Sequence, residues 1–480
     1  MINEISRTNK EDLVCYNTDA SQLFGKAKKV FFPATIEEVK KIVKISKLDI
    51  VPRGLGTTIF GGCVPNNSIV IDLTKMNKVY DLNKNQKTIC VGAGITLSEL
   101  NEKLEKIGFE FPIQALNHED ATIGGLIASN MLIARGMRYK TIKDWIETIN
   151  FINGAGELIS TTKTNIMDIC GMEGTSGIIV SAVLKIIPKI KRTASVFQSD
   201  NLEKLFELVQ KLKSEPTINS IEFFPPNLSK LLNLPEKYNL IIEFDSQRGK
   251  VCAEEYKKLM ALKNKLYHKL ISEGYFTNET FIFFFDKLKE IIIYLEKNKI
   301  LYFGFLGSGI ISCFFKEKEI VKKQEFIKLI KKIRMKPEKY IIGLKRKYLL
   351  ENLEKKLIKR IKFRQDPNCK FNKNKLIDFK ELSNLNNFKE IEFKENPEQK
   401  MQEFIEKVSK FNEKSENFME EKKDYENQLK DYENTFKSEL SDERREKIED
   451  FARKVPNKIK SEKEKKRDFI NQIMTNKFKK

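Results

Sequence analysis

The sequence predicts an α+β protein of several domains, and three observations carry that expectation. Short apolar runs of strand character alternate with amphipathic helices that open on capping boxes. Four glycine-bearing loops sit at the ends of those apolar runs. After about Asn384 the composition shifts to a charged segment without glycine. At 480 residues the chain is long enough for two or three domains.

Residues 1–23 are polar and read as a short lead-in helix. Thr35-Ile36-Glu37-Glu38 is a capping box opening a helix that ends near Ser46, and Thr96-Leu97-Ser98-Glu99 opens another that ends at Gly108. Between them, Ile50-Val51-Pro52 reads as a strand feeding the first glycine loop, VPRGLGTTIFGG (Val51 to Gly62). The other loops are GAGIT (Gly92 to Thr96), ATIGGLIASN (Ala121 to Asn130) and GTSGII (Gly174 to Ile179). A glycine without Cβ lets a bulky anion such as a pyrophosphate lie against backbone N–H groups. One such loop can merely turn the chain, whereas four in order favour a cofactor cradle. The glycines at 54–62 run into the strand-like Ile69-Val70-Ile71 rather than a helix, which excludes the doubly wound dinucleotide fold.

From Lys191 the runs SIEFFPP, YNLIIEFDS and ILYFGFLGSGIISCFF, with longer helices between them, predict an α+β cap of antiparallel strands covered by helices. A basic helix is expected near residues 345–365. In the tail, Met401, Phe404, Ile405, Val408 and Phe411 recur at helical spacing, as do Tyr425, Leu429, Tyr432 and Phe436. Two or three helices with a narrow apolar stripe result, suited to a hairpin or a coiled coil. Residues 381–450 carry a net charge near −8 and residues 451–480 near +8, so self-association through this extension is one reading. A solvated helix pair resting on the protein's own body is the other.

Net charge is +21, and residues 321–380 hold 21 Lys and Arg against 6 Asp and Glu. Such a face would suit an anionic membrane surface, a negatively charged substrate or an acidic partner. Ordinary solvated lysine-rich helices explain it equally well. No nucleic-acid-reading module is recognisable. Cys15, Cys63, Cys90, Cys170, Cys252, Cys313 and Cys369 are scattered without C-x-x-C spacing, which argues against a disulfide framework and a zinc or iron–sulfur site. No apolar run approaches membrane-spanning length, and MINEISRTNKEDL does not read as a signal peptide. The expected location is cytoplasmic, with membrane association at the cytoplasmic face as the alternative.

The series PRGLGTTIFGG, IVIDLTKMNKV, VGAGITLSELNEKL, ATIGGLIASN, RYKTIKDW, NGAGEL and GMEGTSGIIVSAVLKIIPK resembles the FAD-binding PCMH-type domain of the vanillyl-alcohol oxidase superfamily. The nearest branch is that of glycolate oxidase and D-lactate dehydrogenase flavoproteins. The resemblance runs over residues 24–190 and resumes at DPNCKFNKNKL, Asp366 to Leu376, which resembles that branch's closing DP...NPGK segment. It implies a two-subdomain FAD-binding domain over 24–190, a cap over 191–345, a segment returning to the flavin over 346–383 and the helical extension over 384–480.

By this resemblance Arg53, Gly54, Leu55, Gly56, Thr57 and Thr58 would wrap the FAD pyrophosphate with backbone donors, and Gly61 and Gly62 would continue that wall. Thr122, Gly124, Gly125, Ser129 and Asn130 would form the second wall. Ile178 and Ile179 would line the adenine end, and Asn372 would lie near the isoalloxazine. Thr57 stands where covalently flavinylated relatives carry histidine, which implies non-covalent FAD.

The branch's GHxGDGNxH segment, whose histidines bind metal or orient substrate, corresponds here to GFLGSGIIS. Phe305, Ser308, Ile310 and Ser312 take the polar positions. The segment resembling EHGIGLKRK reads KYIIGLKRK, with Tyr340 for a histidine. Removing hydride from a 2-hydroxy acid also requires a base for the hydroxyl proton, a role suited to imidazole and closed to phenylalanine. The chain holds two histidines, His118 and His268, of which His268 lies in a charged helix and His118 in a loop the resemblance places close to the flavin. His118 or Tyr340 is therefore the candidate base, and Lys345 or Arg346 the candidate anchor for an anionic acid. The expected function is an FAD-dependent oxidoreductase acting on a small molecule, with an electron-acceptor protein as a further partner. The alternative is an FAD-binding subunit or electron relay without 2-hydroxyacid dehydrogenase activity. The cell-wall precursor reductase of the same superfamily shares the flavin loops, but the DPNCKFNKNKL ending and the absence of a clear serine and glutamate pair disfavour it.

Overall fold

The computed structural model describes residues 4–378 apart from 116–119, 132–133, 247, 252, 333–344, 346–349 and 351. His118, Tyr340 and Arg346 lie outside the described residues, as does the expected helical extension.

Strands β1 (Ser6–Arg7), β2 (Lys26–Phe31), β3 (Ile50–Arg53) and β4 (Asn66–Asp72) make a four-stranded sheet in the order β1-β2-β4-β3. β2 and β3 both run parallel to β4. Helix Ile36–Ile45 joins β2 to β3, the kind of crossover that parallel strands require. Its capping box is formed, with the Glu38 N–H donating to Thr35 Oγ1 at 3.3 Å and Thr35 N–H to Glu38 Oε2 at 3.2 Å. Its buried face, Val39, Ile42 and Val43, packs on Ile50, Ile69 and Ile71. The lead-in is more than a helix. It adds β1 to the sheet edge and then holds only one helical turn, Lys10–Leu13, before a 3-10 turn at Val14–Tyr16.

The second sheet is antiparallel throughout, in the order β5-β6-β10-β8-β9, from β5 (Val79–Asn83), β6 (Thr88–Gly92), β8 (Ile146–Ile152), β9 (Leu158–Thr162) and β10 (Ile178–Lys185). A short pair, β7 (Phe109–Glu110) with β11 (Ile187–Pro188), stands beside it. Helix Leu97–Glu105 opens on its expected capping box and buries Leu97, Leu100 and Leu104 in this sheet's core. It ends before Gly108, because the N–H groups of Ile107 and Gly108 turn back to the carbonyls of Leu104 and Glu105.

The third sheet has six antiparallel strands in the order β12-β14-β13-β16-β17-β15. They are β12 (Thr193–Ser199), β13 (Ile218–Phe224), β14 (Tyr238–Phe244), β15 (Tyr275–Ile282), β16 (Leu301–Phe305) and β17 (Ile310–Lys316). One face meets Leu205, Val209, Leu288, Ile292 and Phe326 from three helices. The other meets Leu228, Leu266 and Leu270 from two more. Covered on both faces, the central strands have no reason to alternate apolar with polar residues, which is why SIEFFPP and ILYFGFL read as continuous apolar runs.

A buried ionic cluster joins the third sheet to the second. Arg135 pairs with Glu243 at 2.7 Å, and Arg192 with Asp245 at 2.8 Å and with Glu110. Tyr256 and Asn219 add hydrogen bonds to Glu243 at 2.6 and 3.1 Å. Glu243 lies at the end of strand β14 and Asp245 just after it, whereas Arg135 and Glu110 belong to the second-sheet half.

After helix Asn352–Gln365 the chain returns to the first sheet. Lys362 Nζ is buried and donates to Asp366 Oδ2 at 2.5 Å and to the carbonyls of Thr175 and Phe371 at 2.7 Å. Asp366 in turn accepts from the Phe371 N–H at 2.7 Å. This clamp lays Phe371 alongside Ile50, with Ile50 N–H on the Lys370 carbonyl and Asn372 N–H on that of Ile50. The segment expected to return to the cofactor thus ends against the strand that feeds the first glycine loop.

Candidate functional site

A cleft opens between the first glycine loop and helix Ile123–Ser129. Of the residues expected to hold a cofactor, Arg53, Gly54, Leu55, Gly56, Thr57, Thr58, Gly62, Thr122, Gly124, Gly125, Ser129, Ile179 and Asn372 line it. Gly61, Asn130 and Ile178 do not. Gly61 turns its carbonyl to Lys375, Asn130 is the left-handed C-cap of the helix at φ +45°, and Ile178 is buried in the core of the first sheet.

The two walls differ in chemistry. Among the described residues, the amides of Gly54, Leu55, Gly56, Thr57, Thr58 and Ile59 donate to no other group of the chain. The second wall's amides are spent. Ile123 N–H donates to the Ile95 carbonyl, Gly124 N–H to that of Ala93, and Gly125 N–H to Thr122 Oγ1, the N-cap. Donors for an anion therefore come from the first loop, and the helix supplies a close, smooth surface.

The glycines have different reasons for being glycine. A Cβ at Gly54 would stand 2.2 Å from Thr122 Oγ1, so the walls meet there without room for a side chain. Gly124 faces Ala93 Cβ at 2.8 Å, a packing constraint. At Gly125, among the described residues, the neighbour of an added Cβ is Thr122 Oγ1 at 3.1 Å, and Gly125 lines the cleft. Gly56 is left-handed at φ +70°, and its Cβ would strike the Arg53 guanidinium at 2.3 Å. The expectation that all four glycine loops serve the ligand needs correcting for GAGIT. A Cβ at Gly92 or Gly94 would lie about 2 Å from the carbonyls of Met76 or Leu73, so this loop is glycine-bearing because backbone crosses backbone.

The Arg53 side chain is occupied. Its guanidinium donates to the carbonyls of Thr18 at 2.7 Å and Cys15 at 3.3 Å and lies over the Tyr16 ring. Lys345 donates its N–H to the Phe60 carbonyl and its Nζ to that of Ser21 at 2.6 Å. Burial, with Lys323 nearby, lowers its pKa. It ties the lead-in to the loop and does not line the cleft.

Lys375, which sequence reasoning passed over, and the expected site residue Asn372 hold the loop from behind. Lys375 Nζ is buried and donates to the carbonyls of Gly61, at 2.8 Å, and Val64. Burial brings its pKa down to about 8. Asn372 Nδ2 donates to the carbonyls of Gly62 at 3.2 Å and Glu173 at 2.6 Å. Two carbonyl acceptors fix which end of the amide is nitrogen, and Asn372 Oδ1 is buried without a donor among the described residues. Only the pattern of lysines in DPNCKFNKNKL hinted at this role.

The cap enters the cleft through β15, as Asn278 and Thr280. Thr280 Oγ1 lies 2.8 Å from Ser312 Oγ. Phe305 and Ile310 are buried in the cap core, and the Ser308 hydroxyl is buried without a partner among the described residues.

Residues 27–162 match the family model described as an FAD binding domain. This part of the chain is an FAD-binding domain of that family. Its cofactor is FAD, and the cleft fits it: a loop of unspent amides for the diphosphate, a wall at Gly125 that a side chain would fill, and an unfilled acceptor at Asn372 for an N–H of the group. The chain is 32% identical to D-lactate dehydrogenase from Anaerostipes hadrus over 206 residues, 39% of this chain and 43% of that one. It is 26% identical to D-2-hydroxyglutarate dehydrogenase from Xanthomonas citri over 209 residues, 41% and 44% of the two chains. Against the glycolate oxidase subunit GlcD from Bacillus subtilis it is 28% identical over 173 residues, 33% and 37%. The chain thus spans less than half the length of these relatives. A solved alkyldihydroxyacetonephosphate synthase shares the fold with TM-score 0.59 at 17% identity, over 78% of this chain and 82% of that one.

Proposed function

We propose that this protein is an FAD-dependent oxidoreductase whose substrate site has diverged from that of the 2-hydroxyacid dehydrogenases it is related to, and that it holds FAD without a covalent bond. The observation that carries the reading is the run of amides from Gly54 to Ile59 without acceptors among the described residues, facing a helix whose glycine at 125 leaves the cleft open. When bound, FAD supplies a two-electron acceptor. The chain's own part is to hold the diphosphate on loop amides, to close the cleft with β15, and to accept the hydroxyl proton of the substrate.

For that proton the candidates remain His118, in the loop that leads into the second wall, and Tyr340. A tyrosine, with an ordinary pKa near 10, would need strong activation. The segment that in relatives resembles GHxGDGNxH contributes the buried Phe305 and Ile310 here, and neither can move a proton. This apolar replacement also supports a second reading, in which FAD serves as an electron relay within a larger assembly.

Anaerobic mixing tests the proposal. Run beside the Anaerostipes hadrus enzyme, this protein should bleach with D-lactate or glycolate at least about 10²-fold more slowly, the usual cost of lacking a positioned base. Equal rates would overturn the diverged-site reading. If a fast substrate is found, His118→Gln should abolish its reduction while leaving FAD bound, and an unchanged rate would remove His118 from the mechanism. An FAD reduced by a protein donor and by no small molecule would establish the relay.

A further inference from the structure

We infer, resting on the reading of the glycine loop as the diphosphate site, that residues 17–25 of the lead-in set how tightly FAD is held. They do so by fixing the loop's peptide planes from behind, and Asp19 is the positioning residue on which this depends. None of residues 17–25 lines the cleft.

Short polar side chains build this lead-in loop. Gly25 N–H closes it onto the Asn17 carbonyl at 2.7 Å, and Asn17 Oδ1 accepts from the Ala27 N–H at 2.8 Å. Asp19 Oδ1 accepts from the Ser21 N–H at 2.9 Å, and Ser21 Oγ from the Leu23 N–H at 3.2 Å. Gln22 is left-handed at φ +60°, a conformation that a residue with a Cβ keeps only where its surroundings hold it. Asp19 and Ser21, at the tip, are buried. The negative charge of Asp19 lies near the ammonium groups of Lys345 and Lys375.

The lead-in grips the glycine loop at its start, middle and end. Arg53 reaches the Thr18 and Cys15 carbonyls, Ala20 N–H donates to the Gly56 carbonyl at 3.0 Å, and Asp19 Oδ2 accepts from the Cys63 N–H at 3.0 Å. Lys345 joins the two once more, through the Phe60 and Ser21 carbonyls. In a trans peptide the C=O and the next N–H point in opposite directions. Holding the Gly56 carbonyl therefore turns the Thr57 N–H away from the lead-in, and Thr57 lines the cleft. The Gly62–Cys63 plane is held at both ends, by Asp19 on the N–H and by Asn372 Nδ2 on the carbonyl at 3.2 Å. Were these planes free, the diphosphate would have to order them as it binds, and each residue fixed at that moment would weaken binding about tenfold. Asp19 accepts one N–H from its own loop and one from the glycine loop. An amide in its place has one oxygen and would turn its NH2 against an N–H.

The test dilutes full-length, FAD-loaded protein in series and reads released FAD by its fluorescence, which gives a dissociation constant. Circular dichroism of the same samples gives the folded fraction. Asp19→Asn should raise the constant about tenfold, the usual effect of one buried hydrogen bond, and Asp19→Ala by at least as much, both at a temperature where the proteins stay folded. Should Asp19→Ala fail to fold, Asp19→Asn decides. Phe24→Ala, on the same loop with its side chain 82% exposed, should release FAD as wild type does. FAD lost only in proportion to the unfolded fraction would reduce Asp19 to a structural residue and overturn the inference, as would an unchanged constant in Asp19→Asn or an equal loss in Phe24→Ala. Gly125→Val, run alongside, separates the two readings. If it loses FAD while the folded Asp19 variants keep theirs, the cradle stands and the role of the lead-in falls; if all keep FAD, the cradle falls with it.

Discussion

Lys375 shows how much a single buried side chain can decide. Its ammonium holds the carbonyls of Gly61 and Val64 from behind the loop, and burial draws its pKa from 10.5 to about 8. Between those two values the unfolded chain binds more protons than the folded one. This group's contribution to stability therefore rises as pH climbs from 8 to 10.5, and it is lost as pH falls through 8. Lys375→Met should cost about 1–3 kcal/mol near pH 10.5, because two buried carbonyls lose their donor. Near pH 7.5 that cost should be smaller, because the variant no longer buries a charge. Urea denaturation of both proteins across this range checks it, and a wild-type-minus-variant difference that stays flat with pH would contradict the assignment. Glycine substitutions divide in a similar way. Gly56→Val forces a branched residue into a left-handed position against Arg53 and should unsettle the loop as a whole. Gly125→Val instead projects into the cleft and should displace ligand with little change in fold.

At the level of elements, the cap and the second sheet are joined by the cluster around Glu243. Glu243→Ala would strand Arg135 in a buried site and leave Tyr256 and Asn219 short of an acceptor. A loss of about 3–5 kcal/mol is expected, measured by chemical denaturation with fluorescence of the single tryptophan, Trp145. A loss under about 1 kcal/mol would mean that water screens the cluster as it screens an exposed pair. Nothing in the sequence announced this junction, since Arg135, Arg192, Glu110 and Glu243 are far apart in the chain and an isolated charge in a strand gives no pattern. The capped helices were legible because Thr35 with Glu38, and Thr96 with Glu99, are local chemistry. The role of GAGIT was misread for the opposite reason: a glycine needed where backbone crosses backbone looks in sequence the same as one needed by a ligand.

For the whole molecule, the antiparallel cap was readable from its apolar runs, whereas the FAD-binding domain and the returning closing segment were implied by the family resemblance. The split between a donating loop and a spent helix was not, because it depends on which carbonyl each amide finds. Removing residues 386–480 should leave FAD binding intact, because the closing segment that carries Asn372 and Lys375 precedes the cut. Flavin lost together with the tail would contradict this. Light scattering of both forms at low and high salt would show whether the extension drives self-association.

The central claim is that FAD lies without a covalent bond between the loop at Gly54 to Ile59 and the helix that begins after Thr122. Flavin released by acid precipitation from purified wild type and Gly125→Val, with thermal unfolding of each followed in parallel, tests it most directly. The account predicts stoichiometric FAD in the wild-type supernatant and little or none from a Gly125→Val protein that still unfolds cooperatively. Equal FAD from both, or flavin that stays with the precipitate, would contradict it.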